Sequence, residues 1–252
     1  MFNFWREVHL MMVRNLTRWA RNPAWLMVGL FQPILYLLLF APLLDSLNVP
    51  GVEQGNTLKS FTPGLLVMLA MNSGFAGMNM LDDLHRGVIE RLRVTPASRL
   101  ALILGFVLCE VLIALLSSLL LIVAAVPMGF RADWLGIALL FGLLALVYTM
   151  MISASYAIAL TIKDQSALAP MASAITIPLL LLSGVLLPLT LAPASIRTVA
   201  HANPFFYVVN AARALADGRL GNPDVLRAFV IVGALAVLSL LWATRRFRHA
   251  VA

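Results

Sequence analysis

The sequence predicts an all-α membrane protein with six transmembrane helices. Apolar blocks of spanning length recur from end to end, 62% of the 252 residues are hydrophobic, and only 12% are charged. Soluble domains carry about 45–50% apolar and about 25% charged residues, so most of this chain is expected in lipid. The blocks leave no room for a soluble core, and residues 1–252 read as one transmembrane domain. The net charge of +7 is assigned to arginine-rich cytoplasmic loops, with membrane lipids as the partner surface and no nucleic acid. The single Cys109 lies in an apolar block and cannot form an internal disulfide.

Residues 1–23 come first. Phe4, Val8, Met11, Asn15 and Trp19 share one helical face, and Glu7, Arg14, Arg18 and Arg21 the other. That pattern predicts an amphipathic helix lying in the membrane interface, with its bases toward anionic head groups. It is not the short basic tip and apolar run of a cleavable signal peptide.

A span needs about 20 mainly apolar residues. The first is expected at Ala24–Leu44, entered through Asn22-Pro23 as cap and first-turn proline. The others are Thr62–Leu81, Leu100–Val126, Trp134–Ile162, Ala167–Leu189 and Val225–Ala243. With the N-terminus inside, twelve Lys and Arg flank the inner ends and six the outer ends, which predicts both termini in the cytoplasm. The connection 190–224 is no plain loop. Pro193–Ala200 reads as a short helix. Asn203-Pro204 then caps a run in which Phe205, Val208, Val209, Ala212 and Leu215 share a face. Both pieces are too short to span, which predicts a re-entrant or interfacial hairpin on the outer side. Residues 225–252 supply the last span and a basic tail.

The polar connection after the second span carries the densest pattern. Read as a helix over Leu81–Arg93, it places Leu81, Leu84, Val88 and Leu92 on one face. Asp83, Arg86, Glu90 and Arg93 fall on the opposite face. The acids precede the bases, which suits the helix dipole, and Arg86 and Glu90 are spaced for an i,i+4 pair. Gly87 interrupts the run at about 1 kcal/mol relative to Ala. It makes sense where a partner's backbone comes close or where the span bends onto the membrane surface. Thr95-Pro96 is a stop and restart. The apolar face is expected to pack on the membrane domain, or partly into a partner's groove, and the charged face to meet a cytoplasmic partner. The plainer alternative is an ordinary loop of solvated charges.

The residues Arg86, Gly87, Glu90, Arg91, Leu92, Arg93, Pro96, Ser98 and Arg99, running on from a second span, resemble the cytoplasmic coupling helix of ABC type-2 permeases, including the daunorubicin-type drug permeases. The Asn203-Pro204-Phe205-Phe206-Tyr207 stretch with Arg213 resembles the proline-aromatic segment of that family's extracellular re-entrant hairpin. The plan of amphipathic helix, six spans and two inner termini is similar throughout. The resemblance implies the membrane subunit of an exporter in a bacterial inner membrane. Two permeases, identical or siblings, would pair, each resting on one of two separate ATP-binding subunits. ATP and Mg would be bound there, with no cofactor in this chain. The coupling helix and the N-terminal helix would carry the ATP-driven motion into the spans. The exported substrate would be a hydrophobic drug or lipid, or alternatively a polysaccharide or lipooligosaccharide. A P-loop lysine must follow a glycine. Lys59 follows Leu58 and Lys163 follows Ile162, so neither is one.

Within the spans Glu110 stands out, about 11 residues or roughly 16 Å by helical rise beyond the loop. Intramembrane ionisable groups default to a functional reading. Attraction of a cationic substrate, stabilisation of a dimer, and a protonated or hydrogen-bonded structural role facing the bundle all fit it. Met68, Met71, Met78 and Met80 could line an adaptable apolar path or simply pack. Gln32 and Pro33, Pro170 and Pro178 mark places where helices bend. The translocation path is expected among Glu110, Met71, Met78 and Gln32. His9, His85, His201 and His249 have no ligand spacing, and no metal site is expected. Ser73-Gly74 and Ser183-Gly184 lack the nucleophile motif and span histidine of an intramembrane protease, so the chain is expected not to be an enzyme. A proton-coupled secondary transporter using Glu110 is the remaining rival.

Overall fold

In a computed structural model, residues 4–20, 29–39, 57–88, 99–185 and 193–250 are described. These form α1 (Phe4–Ala20), α2 (Gly29–Leu39), α3 (Thr57–Asn72), a 3-10 turn (Ser73–Phe75) and α4 (Gly77–His85). Then come α5 (Arg99–Ala125), α6 (Trp134–Ile162), α7 (Gln165–Leu181), α8 (Ala194–Ala200), α9 (Pro204–Ala216) and α10 (Pro223–Ala250). There is no strand among the described residues. Among the described residues, four stretches are long and apolar enough to cross a membrane: Phe61–His85, Leu100–Met128, Trp134–Ile162 and Pro223–Phe247. Gly29–Leu39 and Gln165–Leu181 are apolar but shorter.

The third and fourth spans fall where the sequence places them. The fourth starts cleanly because the Asp133 carboxylate accepts from the Gly136 N–H at 3.0 Å. It ends at Lys163, in the left-handed region at φ 57°. Asp164 then caps α7 by accepting from the Ser166 N–H at 2.9 Å and hydroxyl at 2.7 Å. The Ser166 hydroxyl, and after it the Ser166 N–H, hold the Asp164 carboxyl below its ordinary range. The last helix is longer than expected at both ends, Pro223–Ala250 rather than Val225–Ala243. Two expectations need correction. The second span is two helices joined by a 3-10 turn. The fifth ends at Leu181 and turns over residues 182–185. Only residues 29–39 of the expected first span, and none of 186–189, lie among the described residues.

α6 is the central post. Leu140, Leu143, Leu144, Val147, Tyr148 and Ala157 on it are fully buried, and α10, α5, α4, α9 and α3 all pack against it. α1 lies along the first turns of α5, with Val8 and Asn15 buried between them. Its Arg14 guanidinium sits 6.0 Å from the Phe106 ring centroid. The outer surfaces carry apolar stripes: Leu108, Leu112, Leu116, Leu119 and Val123 on α5, and Leu226, Val230, Val237, Leu238 and Leu241 on α10 are all exposed. Stripes of that length are stable only against lipid or another apolar surface. With the four spanning helices they make this a multi-pass membrane protein.

α9 is far more buried than an interfacial helix would be. Phe205, Val208, Val209, Ala211, Ala212 and Leu215 are at most 2% exposed, wedged among α3, α6 and α10. Asn203 does two jobs at its start. Its side-chain oxygen caps the helix by accepting from the Phe205 N–H at 3.0 Å, and its Nδ2 donates to the Leu179 carbonyl of α7 at 2.7 Å. Arg213, one helical face further on, donates to the Gly184 carbonyl at 2.8 Å. The hairpin is thereby tied to the turn that ends α7. Tyr207 donates to the His201 carbonyl at 3.1 Å and stacks edge-on against Phe206, closing the elbow between α8 and α9.

Candidate functional site

The break in the second span organises the site. A 3-10 turn in lipid exposes backbone groups that water cannot satisfy, at a cost of several kcal/mol each. Ser155 of α6 resolves this. Its hydroxyl accepts from the Gly77 N–H at 2.9 Å and donates to the Gly74 carbonyl across the break. Ser73 closes the other side by donating to the Ala70 carbonyl at 2.6 Å. Ser155→Ala is expected to destabilise the fold by about 1–3 kcal/mol, the cost of orphaning a buried backbone group, read as a lowered thermal midpoint in detergent.

Beyond the break, α4 swings polar residues toward α5. Asn79 donates to a Glu110 carboxylate oxygen at 3.1 Å, and Gln165 of α7 donates to Asp82 at 3.3 Å. These residues line two adjoining cavities. The larger, about 490 Å³, is bounded by Gln32, Asn72, Met78, Asn79, Asp82, Glu110, Ser117, Tyr148 and Gln165 among apolar neighbours from α3, α5 and α6. The smaller, about 240 Å³, is bounded by Asn15, Trp19, Asn79, Asp82, Asp83, Arg86, Phe106, Glu110 and Tyr156. Trp19, Asn79, Asp82 and Glu110 belong to both. At the far edge of the larger cavity Tyr148 and Ser118 share a hydrogen bond of 2.7 Å.

Glu110, Gln32 and Met78 therefore meet at one cavity. Met71 does not: it is fully buried in the packed core and lines neither space. Asn79 and Asp82 are additions that the sequence pattern did not single out. The signal available was a pair of polar residues three apart at the C-terminal end of an apolar run.

The expected coupling helix also changes shape. Helix α4 stops at His85, so the expected Leu81–Arg93 helix is interrupted at Arg86–Gly87, and its residues 89–93 lie outside the described residues. Arg86 caps it, and Gly87 follows in the left-handed region at φ 66°, a conformation that glycine adopts without Cβ strain. The apolar face keeps its place: Leu81 is fully buried, and Leu84 and Val88 pack against the core. Of the charged face, Arg86 is exposed, but Asp83 is 4% exposed and turned inward. It lies on the wall of the smaller cavity rather than on a partner-facing surface. Glu90, Arg91, Leu92, Arg93 and Pro96, with Arg21 of the N-terminal segment, lie outside the described residues. On α1, Arg14 is exposed and Trp19 half-buried at the cavity mouth.

The sequence of this long-helix bundle matches a known family. Residues 6–216 match the ABC-2 type transporter family. The chain belongs to that family. It is 26% identical over 233 residues to the daunorubicin resistance ABC transporter permease protein DrrB1 of Streptomyces coeruleorubidus, covering 90% of this chain and 81% of the relative. It is 25% identical over 214 residues to a protein named as a transport permease, ycf38, of Pyropia yezoensis, covering 83% and 74%. A ycf38 protein of Cyanophora paradoxa is 25% identical over 219 residues, covering 85% and 75%. ABC-2 permeases are non-catalytic membrane components that associate with an ABC ATP-binding subunit.

Proposed function

We propose that this chain is the six-span permease subunit of an ATP-driven exporter that moves a hydrophobic drug or lipid out of the cytoplasm or inner leaflet of a bacterial plasma membrane. Both termini are cytoplasmic in this reading. Two permeases pair over two ATP-binding subunits that hold ATP and Mg. The observation that carries the reading is the cavity around Glu110, placed beside α4 and α1 in a chain of the ABC-2 family. Motion delivered at Arg86 and the 87–96 segment needs only to tilt α4 to reshape that cavity, because Met78, Asn79 and Asp82 on its wall all sit on α4.

Glu110, Gln32 and Met78 line the substrate path in this account. Asp83, Arg86, Gly87, Glu90, Arg91, Leu92, Arg93 and Pro96 transmit the motion, Asp83 from inside the bundle. Arg14, Arg18 and Trp19 anchor α1 at the inner surface. Asn203, Pro204, Phe205, Tyr207 and Arg213 hold the outer hairpin closed against α7. A proton-coupled carrier is the second reading, favoured by the carboxylate of Glu110 held by Asn79 inside a cavity. The test is to purify the chain with and without its ATP-binding partner, reconstitute both forms, and follow ATP hydrolysis and export together. Export that requires the partner and rises with hydrolysis supports the exporter.

A further inference from the structure

The smaller cavity carries one feature that transport of a hydrophobic compound does not call for. Asn15 of α1 lines it and is 6% exposed, yet its side-chain Nδ2 has no hydrogen-bond partner. A buried unmet donor costs about 1–3 kcal/mol, and a leucine would pack the same helix face without it. The same walls hold the guanidinium of Arg86 and the carboxylates of Asp82, Asp83 and Glu110, with Trp19 and Phe106 beside them. The cavity volume of about 240 Å³ far exceeds the roughly 15 Å³ that one water needs.

A ligand that satisfies this set has two poles. It needs acceptor oxygens for the Asn15 amide and the Arg86 guanidinium, and a cation to offset a lining that carries three carboxylates against one guanidinium, which aromatic faces also favour. A bare metal ion or a simple amine leaves Asn15 unmet, and a phosphate alone meets three acids. We propose that the smaller cavity binds the head of a zwitterionic aminophospholipid, its phosphate toward Asn15 and Arg86 and its ammonium toward Asp82 and Glu110. The four residues shared with the larger cavity connect it to apolar walls, including Leu69, Phe75, Ile113 and Ile152, against which an acyl chain lies. The site stands whether or not that lipid is the exported cargo, because its test reads binding alone.

The test is native mass spectrometry of the full-length detergent-purified chain. It is titrated with short-chain phosphatidylethanolamine, short-chain phosphatidylglycerol, dodecylamine and free phosphoethanolamine. Phosphatidylethanolamine is expected to bind at least tenfold more tightly than each of the other three. Asn15→Leu and Glu110→Gln are each expected to reduce that preference at least fivefold. Asn15→Leu is expected to leave the thermal midpoint unchanged or raised, which separates lost binding from lost folding. Equal binding of phosphatidylglycerol or of dodecylamine overturns the two-pole site, and equal binding of free phosphoethanolamine overturns the lipid. An unchanged preference in a folded Asn15→Leu protein overturns the assignment to this cavity.

Discussion

Gly136→Ala is expected to unseat the buried helix α9 and prevent accumulation of folded protein. A Cβ built at Gly136 collides with the carbonyl oxygen of Leu215, inside any tolerable contact. The obstacle is backbone at the C-terminal end of α9, so no side-chain rotation relieves it. Either α9 moves off α6 or the first turn of α6 unwinds and loses the Asp133 cap. Both undo the packing of Val208, Val209, Ala212 and Leu215, so the cost lies at or above the ~3 kcal/mol end of ordinary overpacking. The measurement is the yield of monodisperse protein and its thermal midpoint in detergent. Gly233→Ala is the control: nothing lies within 4 Å of that added Cβ, and it is expected to fold normally. A Gly136→Ala protein with a wild-type midpoint would mean that α9 does not seat against α6.

Arg86→Glu is expected to leave insertion and stability unchanged while lowering ATP-driven export at least tenfold. Arg86 is exposed at the cap of α4 and also borders the smaller cavity. Its reversal acts on whatever docks at that surface, and the lipid titration reads its effect on the cavity separately. Glu90→Arg, four residues on, is expected to act in the same direction. The readout is the ratio of export to ATP hydrolysis in vesicles holding the chain and its ATP-binding partner. A tenfold loss corresponds to about 1.4 kcal/mol of coupling. Wild-type export by both variants would reduce the segment to a tether between spans.

Legibility in the sequence followed the physics of each element. The Trp134–Ile162 span could be bounded from sequence because its length, its Asp133 cap and its unbroken apolar run are local properties. The start of α9 was legible for the same reason: Asn203-Pro204 starts a helix wherever it sits. The depth of α9 was not, since burial on three sides depends on α3, α6 and α10 arriving together. The break at Ser73–Phe75 was hidden because a hydropathy pattern cannot show that Ser155, some 80 residues away, will satisfy it. Asp83 was misplaced because helical phase assigns a face but not what covers that face. Gly87 was noticed as a helix interruption, and its positive φ makes it the terminator. Of the candidate path, Glu110 was legible as a charge among apolar residues. Met71 and Met78 share a sequence signature, and only packing distinguishes the core residue from the lining one.

The central claim is that ATP hydrolysed by a separate subunit drives transport through this chain. The most direct measurement is ATP-dependent uptake of a daunorubicin-like fluorescent amphiphile and of a fluorescent short-chain lipid into inverted vesicles containing the chain and its ATP-binding partner, the inside-out equivalent of export. The proton gradient is collapsed by ionophore, and the partner is compared with a hydrolysis-dead form. The account predicts that export of at least one probe persists without the gradient and stops with the dead partner. Export that follows the proton gradient, ignores the partner and disappears in Glu110→Gln would contradict it.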